Sequence, residues 1–313
     1  MKLFAGTSNQ PLVQNIADHL KIKLSKAEVI RFDDSEVRVR IGESVKNETC
    51  VVVQSTSNPT DTNFMELIFF CDALRRQEAR KVIAVIPYFG YARQSIQHTE
   101  GECVSVNVVI KILESIGFDK IYTVDLHDRA TEGVFSVPFK HLTAVELLAV
   151  RMKNILKSNN GGKLDPTHIA VVSPDQGAIH SARLFGEDFF QTSDFNLAVI
   201  EKRRSYKAVH QSVSLGLYGD VENKIAIIVD DMVTSAGTLV HAAELCKERG
   251  AKKVYAVVTH PDFSKNAFGR IDSSSIEKLI VTDTIQQNQK QSSSRIEYIT
   301  TAKLIADELT HVD

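Results

Sequence analysis

In the first half of the chain, short runs of apolar residues alternate with longer segments in which apolar residues recur at helical spacing. The short runs predict strands and the longer segments predict helices. One such segment places Val104, Val108, Ile112 and Ile116 four residues apart, and Gly117 follows as the predicted helix end. Strands are predicted at 2–5, 28–32, 50–54, 82–87 and 121–125, and helices at 9–21, 61–78 and 104–116. This alternation is typical of parallel sheets covered by helices on both faces.

The same alternation begins again after a polar break in the middle of the chain. A predicted helix at 143–157 runs into the sequence KSNNGGKLDP, whose Gly, Asn and Pro residues interrupt regular structure. We therefore expect an α/β protein with two similar domains, 1–145 and 146–313, whose last helix packs back on the first domain. Strands are predicted at 168–173, 197–201, 225–230, 253–259 and 278–281, and helices near 177–189, 237–249 and 301–310.

The composition is that of a globular protein: 43% of the 313 residues are hydrophobic and 24% are charged. The net charge of −2 gives no overall attraction to nucleic acid or to an anionic membrane. The N-terminus lacks an apolar signal region, and no apolar run approaches the ~20 residues of a membrane span. We therefore expect a cytoplasmic protein with no nucleic acid or membrane partner. The four cysteines lie far apart, which argues against a zinc site, and Cys50 and Cys246 are expected to be buried thiols.

Three predicted strands end in polar residues. Asp125 and Asp175 stand at two of these ends, and Asp230 and Asp231 stand together at the third, while His127 closely follows the first. In open parallel sheets, ligands bind beyond the carboxyl ends of the strands. The sequence therefore predicts a binding site at these strand ends.

The segment VDDMVTSAGT carries the most specific chemistry. Its small residues let backbone N–H groups approach a ligand, and the following helix adds partial positive charge, so the loop is expected to hold a phosphate. The aspartates repel phosphate and need sugar hydroxyls or a metal ion instead. A phosphate beside a vicinal diol describes ribose 5-phosphate; the alternative is a structural turn capped by an aspartate. The predicted ribose 5-phosphate site comprises Asp230, Asp231, Thr234, Ser235, Ala236, Gly237 and Thr238.

Nine short segments together resemble one family, the ribose-phosphate pyrophosphokinases, nearly from end to end. Each segment alone is a weak signal, but all nine occur in the order that the family shows. The resemblance implies two similar domains of phosphoribosyltransferase type, each a mostly parallel sheet flanked by helices. In chain order, the segments are LFAGTSNQPL, FDDSEVRVRIGESV, VVVQSTS, PYFGYARQ, VDLH, VVSPDQGA, EKRR, VDDMVTSAGT and VTDTI.

The resemblance implies a reaction and its catalytic residues. The family transfers the β,γ-diphosphoryl group of ATP to the C1 hydroxyl of ribose 5-phosphate with the help of Mg²⁺. Lys202 and Arg204 of EKRR correspond to the family's catalytic flexible loop; the alternative interpretation of this segment is a basic turn exposed to solvent. His127 and Asp175 correspond to contacts with Mg²⁺ and its water. Because Mg²⁺ prefers oxygen ligands, His127 is expected to act chiefly on phosphate oxygens.

The remaining implied contacts concern ATP and the transferred group. In the family, the residues corresponding to Phe32, Asp34 and Glu36 reach the adenine in a neighbouring subunit's site. This sharing implies a homo-oligomer whose isolated monomer is inactive. The other ATP contacts implied are Arg93, Gln94 and His127, and the loop that receives the diphosphoryl group is Asp175, Gln176, Gly177 and Ala178.

Several positions depart from the family's common form. Ser95 and Cys103 replace residues of a segment linked to triphosphate contacts and regulation, and Ser35 stands where Gly is frequent. The sequence VDLHDRATEG lacks the usual Ala-Gly-Gln-Ile-Gln after its histidine. Thr234-Ser235-Ala236 replaces the common Asp-Thr-Gly, and we expect Ala236 to serve only if its backbone does not need a positive φ.

Three functions are compatible with these residues. The first is an active diphosphokinase, because every catalytic residue that the resemblance implies is present. The second is a catalytically weak homologue that acts by assembling with an active subunit. The third is a phosphoribosyltransferase of nucleotide salvage, which leaves the R-Q and K-R-R segments unexplained.

Overall fold

A computed structural model describes residues 1–159, 164–203, 214–264, 266–287 and 292–312. The chain forms two compact units. The first comprises Met1–Thr143, Asp283–Gln286 and Thr300–Asp313, and the second comprises Ala144–Thr282 and Gln287–Ile299. The last helix of the chain therefore belongs to the first unit, although it follows the second unit in sequence. None of the described helices has both the length and the apolar character needed to cross a membrane.

The first unit is built on a parallel sheet. Its five strands lie in the order β1-β4-β5-β6-β7, and β2 and β3 form a separate antiparallel hairpin. Every residue of β4 is buried, because neighbouring strands and helices on both faces enclose it, which explains its unbroken apolar sequence. The strands are β1 (Lys2–Ala5), β2 (Ala27–Arg31), β3 (Val37–Ile41), β4 (Thr49–Val53), β5 (Lys81–Ile86), β6 (Lys120–Val124) and β7 (Phe139–Leu142).

The second unit has a larger sheet in the order β10-β9-β8-β11-β12-β13-β14. All neighbouring pairs are parallel except β9 and β10, which are antiparallel at one edge. The strand β11 lies between β8 and β12, so its carboxyl end opens at the centre of the sheet. The strands are β8 (Ile169–Ser173), β9 (Leu197–Arg203), β10 (Ser214–Tyr218), β11 (Ile225–Val233), β12 (Lys253–Pro261), β13 (Ile276–Thr282) and β14 (Ile296–Ile299).

Eight α-helices accompany the sheets in the described part of the chain. Asn9 caps α1 by accepting a hydrogen bond from the amide of Leu12, and Gly117 ends α3 in the left-handed conformation, as its position predicts. Two short 3₁₀ helices lie at Arg129–Val134 and Pro166–His168. The α-helices are α1 (Gln10–Leu20), α2 (Thr60–Arg76), α3 (Ser105–Ile116), α4 (Val145–Asn159), α5 (Ile179–Phe190), α6 (Gly237–Glu248), α7 (Ala267–Ser273) and α8 (Ala302–Leu309).

The α/β class and the predicted elements are confirmed, but the sequence missed the shorter ones. The strands β3, β7, β10 and β14 and the helix α7 were not predicted. The strand β3 was overlooked although VRVRI alternates between apolar and polar residues, whereas the others offer only four to seven residues of mixed polarity. The predicted apolar row of α3 was also wrong: Val108 is 50% exposed and Ile112 is 39% exposed. The face that packs on the sheet contains Val106, Val109, Ile110 and Leu113.

The loop between β2 and β3 contains a strained residue. Ser35 has a φ of +74°, and its side chain is exposed. The left-handed conformation costs a non-glycine residue about 1–2 kcal/mol, whereas glycine adds an entropic cost of about 0.5–1 kcal/mol on folding.

Ser35→Gly should therefore raise the free energy of unfolding by roughly 0.5–1 kcal/mol, measured by denaturant titration. Ser136→Gly, at an exposed position without positive φ, should lower it; equal effects of the two substitutions would contradict the strain.

Candidate active site

The carboxylates that the sequence predicts at the end of β11 belong to partly buried residues. The strand runs three residues beyond its predicted end and includes both Asp230 and Asp231. Burial raises the pKa of the Asp230 carboxyl well above its usual value, and the negative charges of Asp231 and Asp175 raise it further. The amide of Asp231 donates to Asp230 Oδ1 over 3.0 Å. Because these three carboxylates repel one another, a nearby cation or hydroxyl donor would stabilise their ionised forms.

The loop after β11 turns sharply into α6. Ala236 precedes this helix with a φ of +61°, so the condition set from the sequence, that its backbone need no positive φ, is not met. The residue tolerates this conformation because its methyl group is only 3% exposed and packs in the core of the unit. Left-handed backbone at an alanine costs about 1 kcal/mol or more, and burial of the methyl group offsets most of that cost.

Two peptide groups of this loop have a defined direction. The carbonyl oxygen of Thr234 accepts from the amide of Ser264 over 2.9 Å, and that of Ser235 accepts from Arg270 Nη1 over 3.2 Å. In a trans peptide the N–H points opposite to the C=O, so the amides of Ser235 and Ala236 point away from Ser264 and Arg270. Neither amide has a hydrogen-bond partner among the residues that the structure describes. Two donors therefore face outward at the N-terminus of α6, where an anion is favoured.

Arg270 was not identified from the sequence. It lies in α7, a short helix that the periodicity did not predict, 35 residues beyond the carbonyl it contacts. Its role depends on a distant backbone oxygen, and no local motif signals such a contact.

The loop between β8 and α5 is closed by its own carboxylate. Asp175 Oδ1 accepts from the amides of Gly177 and Ala178 over 3.0 and 3.2 Å, and Ser173 Oγ donates to the Asp175 carbonyl oxygen over 2.6 Å. Gln176 is exposed beside them. The two amides that the sequence predicts for a diphosphoryl group thus already have a negatively charged oxygen as partner.

The two predicted catalytic residues lie at the limit of the described chain. The backbone of Lys202 belongs to β9 and pairs with Leu215 of β10. Its side chain is not described, and Arg204 lies outside the described residues. The assignment of both residues stays a prediction.

Three predicted ATP residues lie on the hairpin of the first unit. Phe32 is 45% exposed, and the guanidinium carbon of Arg38 lies 5.8 Å from the centre of its ring. The amide of Phe32 donates to the Glu36 carbonyl, and Asp34 Oδ1 accepts from the Glu36 amide over 3.1 Å. An exposed aromatic ring held over a cation on a well-formed turn is suited to stacking on a planar ligand.

The other predicted ATP residues of the first unit follow β5 and β6. Arg93 and Gln94 are exposed, and Gln94 is held to the start of α3 because its Oε1 accepts from the hydroxyl of Ser105. His127 is exposed on the loop after β6. That loop begins at Asp125, whose φ of +35° is unusual and whose amide donates to the carbonyl of Leu142 over 2.9 Å.

Two parallel α/β sheets, with small-residue loops and carboxylates at their strand ends, define an α/β enzyme of phosphoribosyltransferase type. Comparisons with known proteins narrow this class. The family described as "N-terminal domain of ribose phosphate pyrophosphokinase" matches residues 1–117, and the "Phosphoribosyl synthetase-associated domain" matches residues 194–313.

Individual proteins of known family are similar to this chain over nearly its whole length. A ribose-phosphate pyrophosphokinase of Staphylococcus saprophyticus is 37% identical, and ribose-phosphate pyrophosphokinase 1 of Streptococcus pyogenes is 38% identical; each match covers 100% of this chain and 94% of the relative. The crystal structure of phosphoribosylpyrophosphate synthetase from Mycobacterium smegmatis superposes with a TM-score of 0.90 at 30% identity, covering 99% of this chain and 98% of that one. The chain belongs to the ribose-phosphate pyrophosphokinase family.

The raised pKa of Asp230 predicts how the unliganded protein depends on pH. A carboxyl whose folded pKa is raised stabilises the fold below its unfolded pKa of about 3.9 and loses that contribution as pH rises through the folded value. Asp230→Asn should therefore raise the thermal midpoint at pH 7 to 8, without Mg²⁺, and this gain should shrink towards pH 4. Asp307→Asn, at an exposed carboxylate, is the control; a gain that does not depend on pH would contradict the prediction.

Proposed function

We propose that this chain transfers the β,γ-diphosphoryl group of ATP to the C1 hydroxyl of ribose 5-phosphate, giving phosphoribosyl pyrophosphate and AMP. Membership of the ribose-phosphate pyrophosphokinase family supports this reaction. The observation that carries the proposal is the pair of amides at Ser235 and Ala236 that point away from Ser264 and Arg270, on the loop that follows the strand of Asp230 and Asp231. One ligand that satisfies both is a sugar phosphate.

Ribose 5-phosphate uses the two kinds of group separately. Its phosphate accepts hydrogen bonds from the amides of Ser235 and Ala236, with the hydroxyls of Thr234 and Thr238 as further donors. Its ring hydroxyls donate to the carboxylates of β11, which repel phosphate but accept O–H groups well. This division orients the C1 hydroxyl away from the phosphate loop.

The diphosphoryl group requires an exchange of acceptors at the loop after β8. Asp175 Oδ1 occupies the amides of Gly177 and Ala178, and a phosphate oxygen can replace it with the same geometry. The displaced carboxylate is then available to a cation. In this proposal, binding of the diphosphoryl group and of the cation support each other.

Mg²⁺ is the cofactor that this chemistry implies. Asp175 offers a hard oxygen ligand, and its negative charge lies close enough to Asp230 to raise the pKa of Asp230. A divalent cation between these carboxylates would reduce their mutual repulsion. Within the described residues, no three His, Cys, Asp or Glu side chains converge on a metal position. This fits an ion that completes its shell with water and substrate oxygens, as Mg²⁺ does. When bound, Mg²⁺ neutralises phosphate charge; Asp175 would hold it, and His127 would contact phosphate oxygens.

Lys202 and Arg204 supply the remaining positive charge. The C1 hydroxyl attacks the β-phosphorus in line, and charge accumulates on the transferred group and on the departing AMP. Cationic side chains stabilise that charge in the transition state.

The proposal predicts that the purified chain releases AMP from ATP only when ribose 5-phosphate and Mg²⁺ are present. Lys202→Ala should lower kcat by about 10²–10³-fold, as expected for loss of one transition-state donor, and should leave the KM for ribose 5-phosphate nearly unchanged. Lys303→Ala, on the exposed face of α8, is the control. A loss of ribose 5-phosphate binding as large as the loss of kcat would contradict the role of Lys202.

The other two functions give different results in the same assay. If the chain alone releases no AMP but an added active homologue restores turnover, it is a regulatory subunit. If it consumes phosphoribosyl pyrophosphate with a free base and forms a nucleotide, it is a salvage transferase. Neither has a supporting observation of its own in the structure.

We also propose that the active site is shared in a homo-oligomer, with Phe32 stacking on the adenine of a neighbouring subunit. The exposed ring at the tip of a hairpin supports this arrangement. Phe32→Ala and Lys202→Ala chains, each nearly inactive, should recover activity when coexpressed, because one site of each mixed dimer receives both native residues. Random pairing gives roughly one quarter of the wild-type sites.

The coexpression test has a direct control. If the site is shared, wild-type chain coexpressed with a chain carrying both substitutions should also have roughly one quarter of the wild-type sites, whereas sites within one chain would leave roughly one half there and almost none in the pair of single variants. Activity equal to the average of the two single variants would show that each site lies within one chain.

A further inference from the structure

We infer that His141 is a positioning residue, which holds the loop after β6 in the conformation that presents His127. This inference rests on the ATP contact proposed for His127. His141 lies on β7, outside every segment that the family resemblance rests on, and its side chain is only 9% exposed.

His141 joins two points of the loop. Its Nδ1 lies 2.7 Å from Glu132 Oε1, and its Nε2 accepts a hydrogen bond from the amide of Leu126 over 3.2 Å. In the neutral imidazole, Nε2 is the acceptor, so Nδ1 carries the proton and donates it to Glu132 Oε1. Leu126 immediately precedes His127, and Glu132 lies in the 3₁₀ helix that follows it. The imidazole therefore bridges the segment that carries His127 from both sides.

The bridged segment contains backbone that needs support. Asp125 has a φ of +35°, and non-glycine residues hold such a conformation only where the surroundings determine it. The amide of Asp125 donates to the carbonyl of Leu142, the residue after His141, and Asp125 Oδ1 lies 3.6 Å from His141 Nε2. The end of β7 thus fixes the strained residue and its neighbour together.

The charged residues of this loop all have partners close to His127. They occupy the stretch DRATEG, where the family's common form has uncharged residues. Arg129 Nε lies 3.4 Å from Glu132 Oε1, and Asp128 Oδ1 accepts from the amide of Ala130 over 2.9 Å to begin the 3₁₀ helix. The pair of the buried His141 and the half-buried Glu132 adds little stability compared with apolar side chains at the same positions. Its presence beside His127 is better explained by the conformation that it imposes.

The test compares substitutions of His141 in two backgrounds. His141→Leu removes the bridge and should raise the KM for ATP and lower kcat by about ten- to hundredfold, because a small displacement of a contact group has effects of that size. The KM for ribose 5-phosphate should not change. His141→Asn keeps one acceptor for Leu126 and one donor for Glu132, and it should recover most of the loss. His19→Leu, at an exposed histidine of α1, is the control.

The second background separates the inference from the function on which it rests. In a His127→Ala chain, His141→Leu should cause little further loss, because both changes remove the same contact. Independent, multiplicative losses would overturn the positioning role, and so would wild-type kinetics of His141→Leu. If His127→Ala alone has no effect on ATP, the proposed contact of His127 fails instead. Should His141→Leu not fold, Glu132→Ala breaks the same bridge and must show the same non-additivity.

Discussion

Phosphate and carboxylate repel each other, yet in the proposed function one strand, loop and helix of the second unit bind a sugar phosphate beside two aspartates. The fold resolves this conflict with backbone rather than with cationic side chains. Ser264 and Arg270 draw the carbonyl oxygens of Thr234 and Ser235 to one side, so the amides emerge on the other. The left-handed conformation of Ala236 belongs to the same sharp turn between β11 and α6. The aspartates of β11 then remain available to hydroxyl donors or a cation.

The loop after β8 also presents backbone amides, but these amides already have hydrogen-bond partners. There the Asp175 carboxylate accepts hydrogen bonds from the amides of Gly177 and Ala178, so neither amide lacks a partner when no ligand is bound. A phosphate oxygen that replaces Asp175 gains only the difference between two similar hydrogen bonds. In the proposed function, the gain comes from the released carboxylate, because it lies close enough to Asp230 to raise the pKa of that group and can share a cation with the substrate. Selectivity for the pair of ligands follows from that coupling.

Long apolar strands and helices with clear ends were predictable because burial on both faces leaves a strong trace in the sequence. Short edge strands such as β14 were not, since four residues contain too few periods. The helix α3 was predicted, but the face that packs on the sheet was not. Because α3 is apolar on more than one face, the spacing of Val108 and Ile112 alone does not tell which face contacts the sheet. The residues at strand ends were found from motifs, but Arg270 and His141 act through backbone atoms far away in sequence, and only the folded chain reveals them.

The stretch after His127 shows why departures from a family pattern need a structure. In the sequence, Glu132 and Arg129 are charged residues where the family's common form has neutral ones, which suggests that the motif after His127 is weakened. In the fold, Glu132 meets the imidazole of His141 and the guanidinium of Arg129, so each charge has a partner. A lone acidic residue at this half-buried position would be unfavourable without them. The histidine on β7 and the acidic residue on the loop therefore form a matched pair, and the charges of the altered sequence satisfy one another rather than leaving the loop unsupported.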